Sequence, residues 1–141
     1  MVTRAPRFLL ALSSLLLVVG GLAHAAGFRR ALPVISTSDL PRFFGNSFKA
    51  LWLADSATMF ILAAAFGLIV ARPSAVTRPV VMFLALIPAA TATLIYVFVG
   101  SFFAGHLLLA IAATAFLAGL QFPPRQESEY RMSISGGLVR L

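Results

Sequence analysis

Three ionisable side chains lie in or beside the long apolar segments of this sequence, and they are the residues best placed to do chemistry. They are His24, Asp55 and His106. A carboxylate costs about 2.5–3.5 kcal/mol at the centre of a membrane helix and less near the interface, so acids there are rare and mark polar contacts or functional sites. Together with Trp52 and Tyr96, these residues form a candidate polar intramembrane cluster.

Four interpretations of this cluster are open. In the one we favour, Asp55 accepts hydrogen bonds from a histidine, Tyr96 or Trp52 and holds helix ends together. In the second, Asp55 and a neighbouring histidine exchange a proton in a small proton- or cation-coupled transporter. In the third, His24, His106 and Asp55 bind a metal ion, although no His-x-x-x-His spacing accompanies them. In the fourth, His24 and His106 are axial ligands of a haem. We predict no cofactor and no metal.

The sequence lacks the motifs of several functional classes. It has no phosphate-cradling glycine loop, no nucleophile elbow and no acidic pair suited to hydrolysis. It contains no cysteine, so disulfides and thiolate chemistry are excluded. The formal net charge is +7, but the basic residues are scattered between apolar runs, unlike a nucleic-acid interface. We therefore predict a protein that is not an enzyme and binds no nucleic acid.

The composition indicates that the solvent of this chain is lipid. Of its 141 residues, 60% are hydrophobic and 11% are charged. Soluble domains are about 45–50% apolar and about 25% charged. A chain of this size has too little interior to bury so much apolar surface in water.

Four apolar segments are long enough to cross a membrane, which takes about 20 residues in a helix. We predict an all-α integral membrane protein with one transmembrane four-helix bundle in residues 1–120. The predicted spans are 8–26, 51–71, 79–98 and 103–120, with a break at the cluster Gly100, Ser101 and Gly105. Residues 121–141 are predicted to form a flexible cytoplasmic tail.

The segment 27–50 is predicted to be a loop whose second part has the pattern of an amphipathic helix. Ser38 or Asp39 can cap it, with Pro41 in its first turn. Apolar residues recur on one side at Leu40, Phe44, Phe48 and Leu51, and polar residues occupy the other at Arg42, Asn46 and Lys49. This pattern predicts a pre-helix that lies on the outer membrane surface and runs into the second span. The alternative is that the second helix is simply long.

Small residues at helical spacing predict the faces on which the helices pack, since small side chains let helices approach closely in lipid. On the fourth helix this face would also carry His106. The predicted packing positions are Gly20, Ala63, Gly67, Ala89, Ala92, Ala110 and Ala113.

The basic residues predict an orientation through the positive-inside rule. Seven of the eleven fall on the side of the two termini, at Arg4, Arg7, Arg72, Arg78, Arg125, Arg131 and Arg140. The other four are Arg29, Arg30, Arg42 and Lys49. We predict a bacterial-type inner (plasma) membrane location with both termini cytoplasmic.

The N-terminus also resembles a cleavable secretory signal. The chain begins with a segment that contains Arg4 and Arg7, followed by the apolar run 8–21. Next comes Ala23-His24-Ala25, an A-x-A pattern. Cleavage there would leave three helices and remove His24. We favour a retained first helix, because the apolar run is long enough to span.

The function we predict is that of a small, non-catalytic structural or accessory subunit. Its polar layer, near the outer face, would comprise His24, Asp55, Tyr96 and His106. The expected partners are the lipid bilayer and either other membrane subunits or a second copy of the chain. The alternatives are a transporter that uses Asp55 and a haem- or metal-binding subunit.

Overall fold

A computed structural model describes residues 4–122 and contains four long α-helices in that range. They are α1 (Arg4–Ser36), α2 (Arg42–Ala71), α3 (Arg78–Phe98) and α4 (Phe103–Gln121), with a 3₁₀ turn at Pro73–Ala75. Each helix is long and apolar enough to cross a membrane. The predicted all-helical fold with four apolar helices is therefore confirmed. The predicted tail lies outside the described residues from position 123 onward.

The helices form a row rather than a closed square. Helix α1 packs against both α2 and α4, and α3 packs against α4, while α2 and α3 share no comparable interface. The order across the row is α2, α1, α4, α3. Neighbours are antiparallel, because Gly67 near the end of α2 lies beside Ser14 of α1, and Gly119 near the end of α4 lies beside Met82 of α3.

The connection between α3 and α4 agrees with the predicted break. Helix α3 ends where Gly100 takes a φ of +88°, a left-handed conformation that glycine adopts without a steric penalty. The Gly100 N–H bonds to the Ile95 oxygen at 3.0 Å. Gly105 was predicted to belong to the same break, but it lies inside α4, where a Cβ would sit 3.2 Å from Ile95 Cγ2.

The interior and the exterior of the row are both apolar. Leu17, Phe66 and Ile111 are completely buried between helices. Phe83 and Phe98 are 70% and 80% exposed. Large apolar side chains on the outer surface are costly in water but suit a lipid environment, where packing and interhelical hydrogen bonds drive helix association.

The predicted pre-helix is not a separate element. Helix α2 runs without a break from Arg42 to Ala71, so the alternative of one long helix is correct. Helix α1 likewise continues to Ser36, and the segment predicted to be largely a loop is helical apart from residues 37–41. The Ser38 hydroxyl donates to the Ile35 oxygen and not to the start of α2, which has no side-chain cap.

The reason for this difference is that α1 and α2 support each other beyond the predicted spans. They extend as an antiparallel helical pair through residues 29–49, which we call the hairpin. Gly45 is buried within it, and a Cβ there would lie 3.7 Å from Ile35 Cγ2. Mutual packing of this kind stabilises helices that would be marginal alone. We call this end of the bundle the hairpin end.

The structure places the predicted packing residues unequally. Gly20, Ala63 and Ala92 are buried, whereas Ala89 is half-buried and Gly67 faces Ser14. Ala110 and Ala113 are exposed, so the predicted face of α4 differs from the one that packs in this chain. The buried face of α4 consists of Gly105, Leu108, Ile111, Ala112, Ala115, Ala118 and Gly119. This helix lies between α1 and α3 and is apolar on every side, so small-residue spacing does not identify its contacts.

Candidate functional site

The structure brings His24 of α1 together with Trp52 and Asp55 of α2. The Trp52 Nε1–H donates to the backbone oxygen of His24 at 2.8 Å. The two aromatic rings stack, with centroids 4.6 Å apart and planes 18° from parallel. His24 Nε2 lies 3.6 Å from Asp55 Oδ2, which is within ion-pair distance. We call these last two residues the His24–Asp55 pair.

Ser56 completes the polar contacts of this pair. Its Oγ lies 2.9 Å from His24 Nδ1 and 3.2 Å from the backbone oxygen of Trp52. When His24 is neutral, the hydroxyl can donate to Nδ1 while Nε2–H points at Asp55. When His24 is an imidazolium, Nδ1–H donates to Ser56 and the hydroxyl turns to the Trp52 oxygen. Ser56 therefore satisfies His24 Nδ1 whichever of the two atoms is the donor.

The pair lies within the apolar part of α1 and α2, near the hairpin end. His24 precedes Arg29 by five residues and Asp55 follows Lys49 by six, distances of about 8 Å and about 9 Å along the helix axes. Arg7 and Arg29 are 22 residues apart on α1, about 33 Å, close to the thickness of a hydrocarbon core of about 30 Å. In a bilayer, both side chains would lie at one depth inside the apolar span.

A second polar group forms between α3 and α4. Tyr96 Oη lies 2.6 Å from His106 Nδ1, and Ser101 Oγ lies 3.3 Å from His106 Nε2. Within residues 4–122, no hydrogen bond or ion pair joins this group to the His24–Asp55 pair. The sequence-predicted polar residues therefore form two groups, and the hydrogen bond from Tyr96 goes to His106 and not to Asp55.

The metal alternative lacks the ligand set on which it depended. In the part of the chain that the structure describes, no three His, Cys, Asp or Glu residues are grouped so as to hold a metal ion. His106 lies with Tyr96 and Ser101, whereas His24 and Asp55 lie on the other two helices. The three side chains are not assembled as one site.

A cleft of about 550 Å³ opens beside the His24–Asp55 pair. All four helices contribute to its lining, because α2 does not pack against α3 and the helix row stays open there. His24 and Asp55 line it from α1 and α2, and Phe102 and Phe103 line it from the start of α4. The side chains of the pair are 26% and 35% exposed, so they are accessible from the cleft.

Sequence reasoning did not identify the contact of Ser56 with His24 or the cleft. Ser56 and Ser101 have no catalytic context in sequence, and serines in apolar helices usually bond their own backbone. Ser56 does so as well, but it is 4% exposed and also faces His24. The cleft depends on the helix order, which no local pattern encodes.

Replacing Trp52 by phenylalanine tests the contact between α1 and α2 at this site. The substitution keeps an aromatic ring but removes the N–H that donates to the His24 oxygen. We expect the free energy of unfolding in mixed micelles to fall by about 0.6 kcal/mol and at most about 1.7 kcal/mol, the range for hydrogen bonds between membrane helices. Thr58→Val is the control, because the exposed Thr58 hydroxyl bonds only the Ala54 oxygen of its own helix. Equal losses in both variants would contradict the Trp52 contact.

In comparisons with known proteins, no family model, no curated protein and no solved structure matches this chain.

Proposed function

We propose that this chain is a small, non-catalytic accessory subunit of a bacterial-type inner membrane, with both termini cytoplasmic. The orientation rests on the distribution of basic residues, seven of eleven of which fall on the side of the termini. In this orientation, the hairpin faces the outer side of the membrane and the His24–Asp55 pair lies in the outer leaflet.

The observation that carries the accessory role is the aromatic surface of the hairpin. Phe43 is 74% exposed, and Phe44 and Phe48 are each 53% exposed. All three lie on the hairpin side of Lys49, outside the apolar span bounded by the basic residues. Exposed aromatic side chains at this level are typical of contacts with another protein, where such residues supply much of the binding energy.

Two polar contacts inside the bundle support a structural use of its hydroxyl groups. The Ser13 and Thr114 hydroxyls bond each other at 2.8 Å across α1 and α4. The Ser14 hydroxyl donates to the Ala63 oxygen at 2.8 Å across α1 and α2. These two contacts use the hydroxyls to hold helices together, as interhelical hydrogen bonds do in membrane proteins.

Site-specific photo-crosslinking in native membranes tests this proposal. With a photoreactive amino acid at position 44, we expect an adduct to another polypeptide, either a second copy or a different subunit. In a second sample with the photoreactive group at position 43, Phe44→Ser with Phe48→Ser should reduce the adduct by about tenfold, because it removes two exposed aromatic side chains that the contact would bury. Val34→Ser, an exposed position on the α1 side of the hairpin, is the control and should leave it unchanged.

Two outcomes distinguish the accessory role from its alternatives. Crosslinks to lipid alone from position 44, with a monomeric protein in mild detergent, would contradict it. Asp55→Asn should leave the polypeptide adduct intact if the subunit acts through the hairpin. A proton- or cation-coupled transporter would instead lose transport in that variant while inserting and folding normally.

A further inference from the structure

The cleft beside the His24–Asp55 pair lacks the basic side chains that are frequent elsewhere in this chain. None of the basic residues between positions 4 and 122 lines it, although the whole chain carries a net charge of +7. His24 and Asp55 are its two ionisable lining residues. The Asp55 carboxyl is the one acidic group of this lining.

Asp55 has unused capacity to accept hydrogen bonds or to face a cation. An ionised carboxylate offers about four acceptor sites. Among the described residues, no side chain donates a hydrogen bond to this carboxylate, and His24 Nε2 lies 3.6 Å away, which is longer than a hydrogen bond. The Asp55 carboxylate therefore has one ionisable neighbour, His24, and its hydrogen-bond acceptor sites remain free of protein donors among the described residues.

The remaining lining is apolar and partly aromatic. Leu17 and Met59 line it from α1 and α2, and Val99, Phe102 and Phe103 line it from the connection between α3 and α4 and the first residue of α4. A volume of about 550 Å³ falls within the range of about 300–1,000 Å³ that is typical of sites for small organic ligands. Such a lining favours a ligand with a bulky apolar body, and the carboxylate favours a positive charge on it.

We infer that this cleft binds a lipophilic monovalent cation, with its positive charge beside Asp55 and its apolar body against Met59 and the Phe102–Phe103 side. The inference does not depend on the accessory role, which uses the hairpin. A lipid acyl chain fits the apolar walls equally well but adds no partner for Asp55 beyond His24. A helix of another protein could occupy the cleft and face Asp55 with a positive charge only if it carried a basic side chain at one defined position.

Trp52 makes binding directly measurable. It is the one tryptophan of the chain, it lines the cleft and its ring stacks on His24. Tetraphenylphosphonium and tetraphenylborate, which share a shape and differ in the sign of their charge, are titrated into the full-length protein in neutral detergent micelles. We expect a saturable change in Trp52 emission with the cation and none with the anion. The net positive charge of the chain favours binding of the anion to the rest of the protein surface. A preference for the cation therefore indicates binding in the cleft.

Substitutions at Asp55 locate the charge that is recognised. Asp55→Asn should weaken tetraphenylphosphonium binding by about tenfold, equivalent to about 1.4 kcal/mol. Asp55→Glu keeps the charge and should stay within about threefold of the unmodified protein. Asp39→Asn removes a carboxylate from the loop between α1 and α2 and should have no effect. Circular dichroism and a single peak in gel filtration establish that each variant folds.

Three results would overturn the inference. They are equal binding of the two tetraphenyl ions by the unmodified protein, undiminished cation binding by a folded Asp55→Asn variant, and no saturable Trp52 response. If Asp55→Asn does not fold, the comparison of the two ions and the Asp55→Glu variant still decide the outcome. A response to both ions that a lipid suppresses would identify the cleft as a lipid site instead.

Discussion

A valine at position 119 is expected to force α3 away from α4 and to cause the largest steric loss of stability among the glycines that the structure describes. A Cβ at Gly119 would lie 2.8 Å from Met82 Cγ and 3.4 Å from the Met82 backbone nitrogen. Of the glycines compared, this is the one at which the added carbon comes closer than 3.0 Å to a neighbour. The methionine side chain can move, but its backbone cannot retreat without moving α3.

The expected magnitude follows from the cost of overpacking, about 1–3 kcal/mol in well-packed interiors. We expect Gly119→Val to reach the upper part of this range, because valine adds two further methyl groups to the carbon that is already too close. The free energy of unfolding, measured by titration with a denaturing detergent in mixed micelles, checks this expectation. The amount of folded protein in the membrane fraction should fall in parallel.

Two variants control for effects that are not steric. Ala113→Val lies on the exposed side of the same helix and should change stability by less than about 0.5 kcal/mol. Met82→Ala combined with Gly119→Val should recover part of the loss, because it shortens the side chain that the valine meets. If Gly119→Val is as stable as Ala113→Val, the packing of α3 on α4 is not the one described.

The sequence predicted the ends of the third and fourth helices well, because charges and helix breakers mark them, whereas the first two helices extend up to ten residues beyond the predicted spans. The predicted third and fourth spans, 79–98 and 103–120, differ from α3 and α4 by one residue at their ends. A single basic side chain is informative because moving it from water into lipid costs much free energy. Gly100 is informative because glycine adopts a left-handed backbone conformation that other residues disfavour.

The helix faces were harder to predict, for a reason specific to lipid. In a soluble bundle, the apolar stripe of a helix identifies its buried face. Ala110 and Ala113 of α4 are exposed, while Ala112 and Ala115 on the neighbouring face are buried. Because both faces are apolar and small, no contrast in polarity separates the one that contacts protein from the one that contacts lipid.

The same limit applies to the candidate site. Counting residues from the basic boundaries predicts that His24 and Asp55 lie near one end of their helices. It does not predict which histidine meets the carboxylate, because that depends on the rotation and order of the helices. The structure pairs Asp55 with His24 and leaves His106 with Tyr96.

Filling the cleft without touching Asp55 is expected to abolish binding of the lipophilic cation. Ala23 lines the cleft one residue before His24, and its side chain is exposed, so a larger residue can be accommodated there without displacing a helix. A tryptophan at position 23 would occupy the apolar space that the ligand body needs. We expect Ala23→Trp to weaken tetraphenylphosphonium binding by at least about tenfold, or about 1.4 kcal/mol.

Equilibrium dialysis with the labelled cation is the suitable measurement, because a second tryptophan would obscure the emission of Trp52. Leu22→Trp is the matched control: Leu22 is 58% exposed, lies one residue away and does not line the cleft. Undiminished binding by Ala23→Trp would mean that the cation contacts Asp55 from outside the cleft, and the apolar walls would then have no part in its recognition.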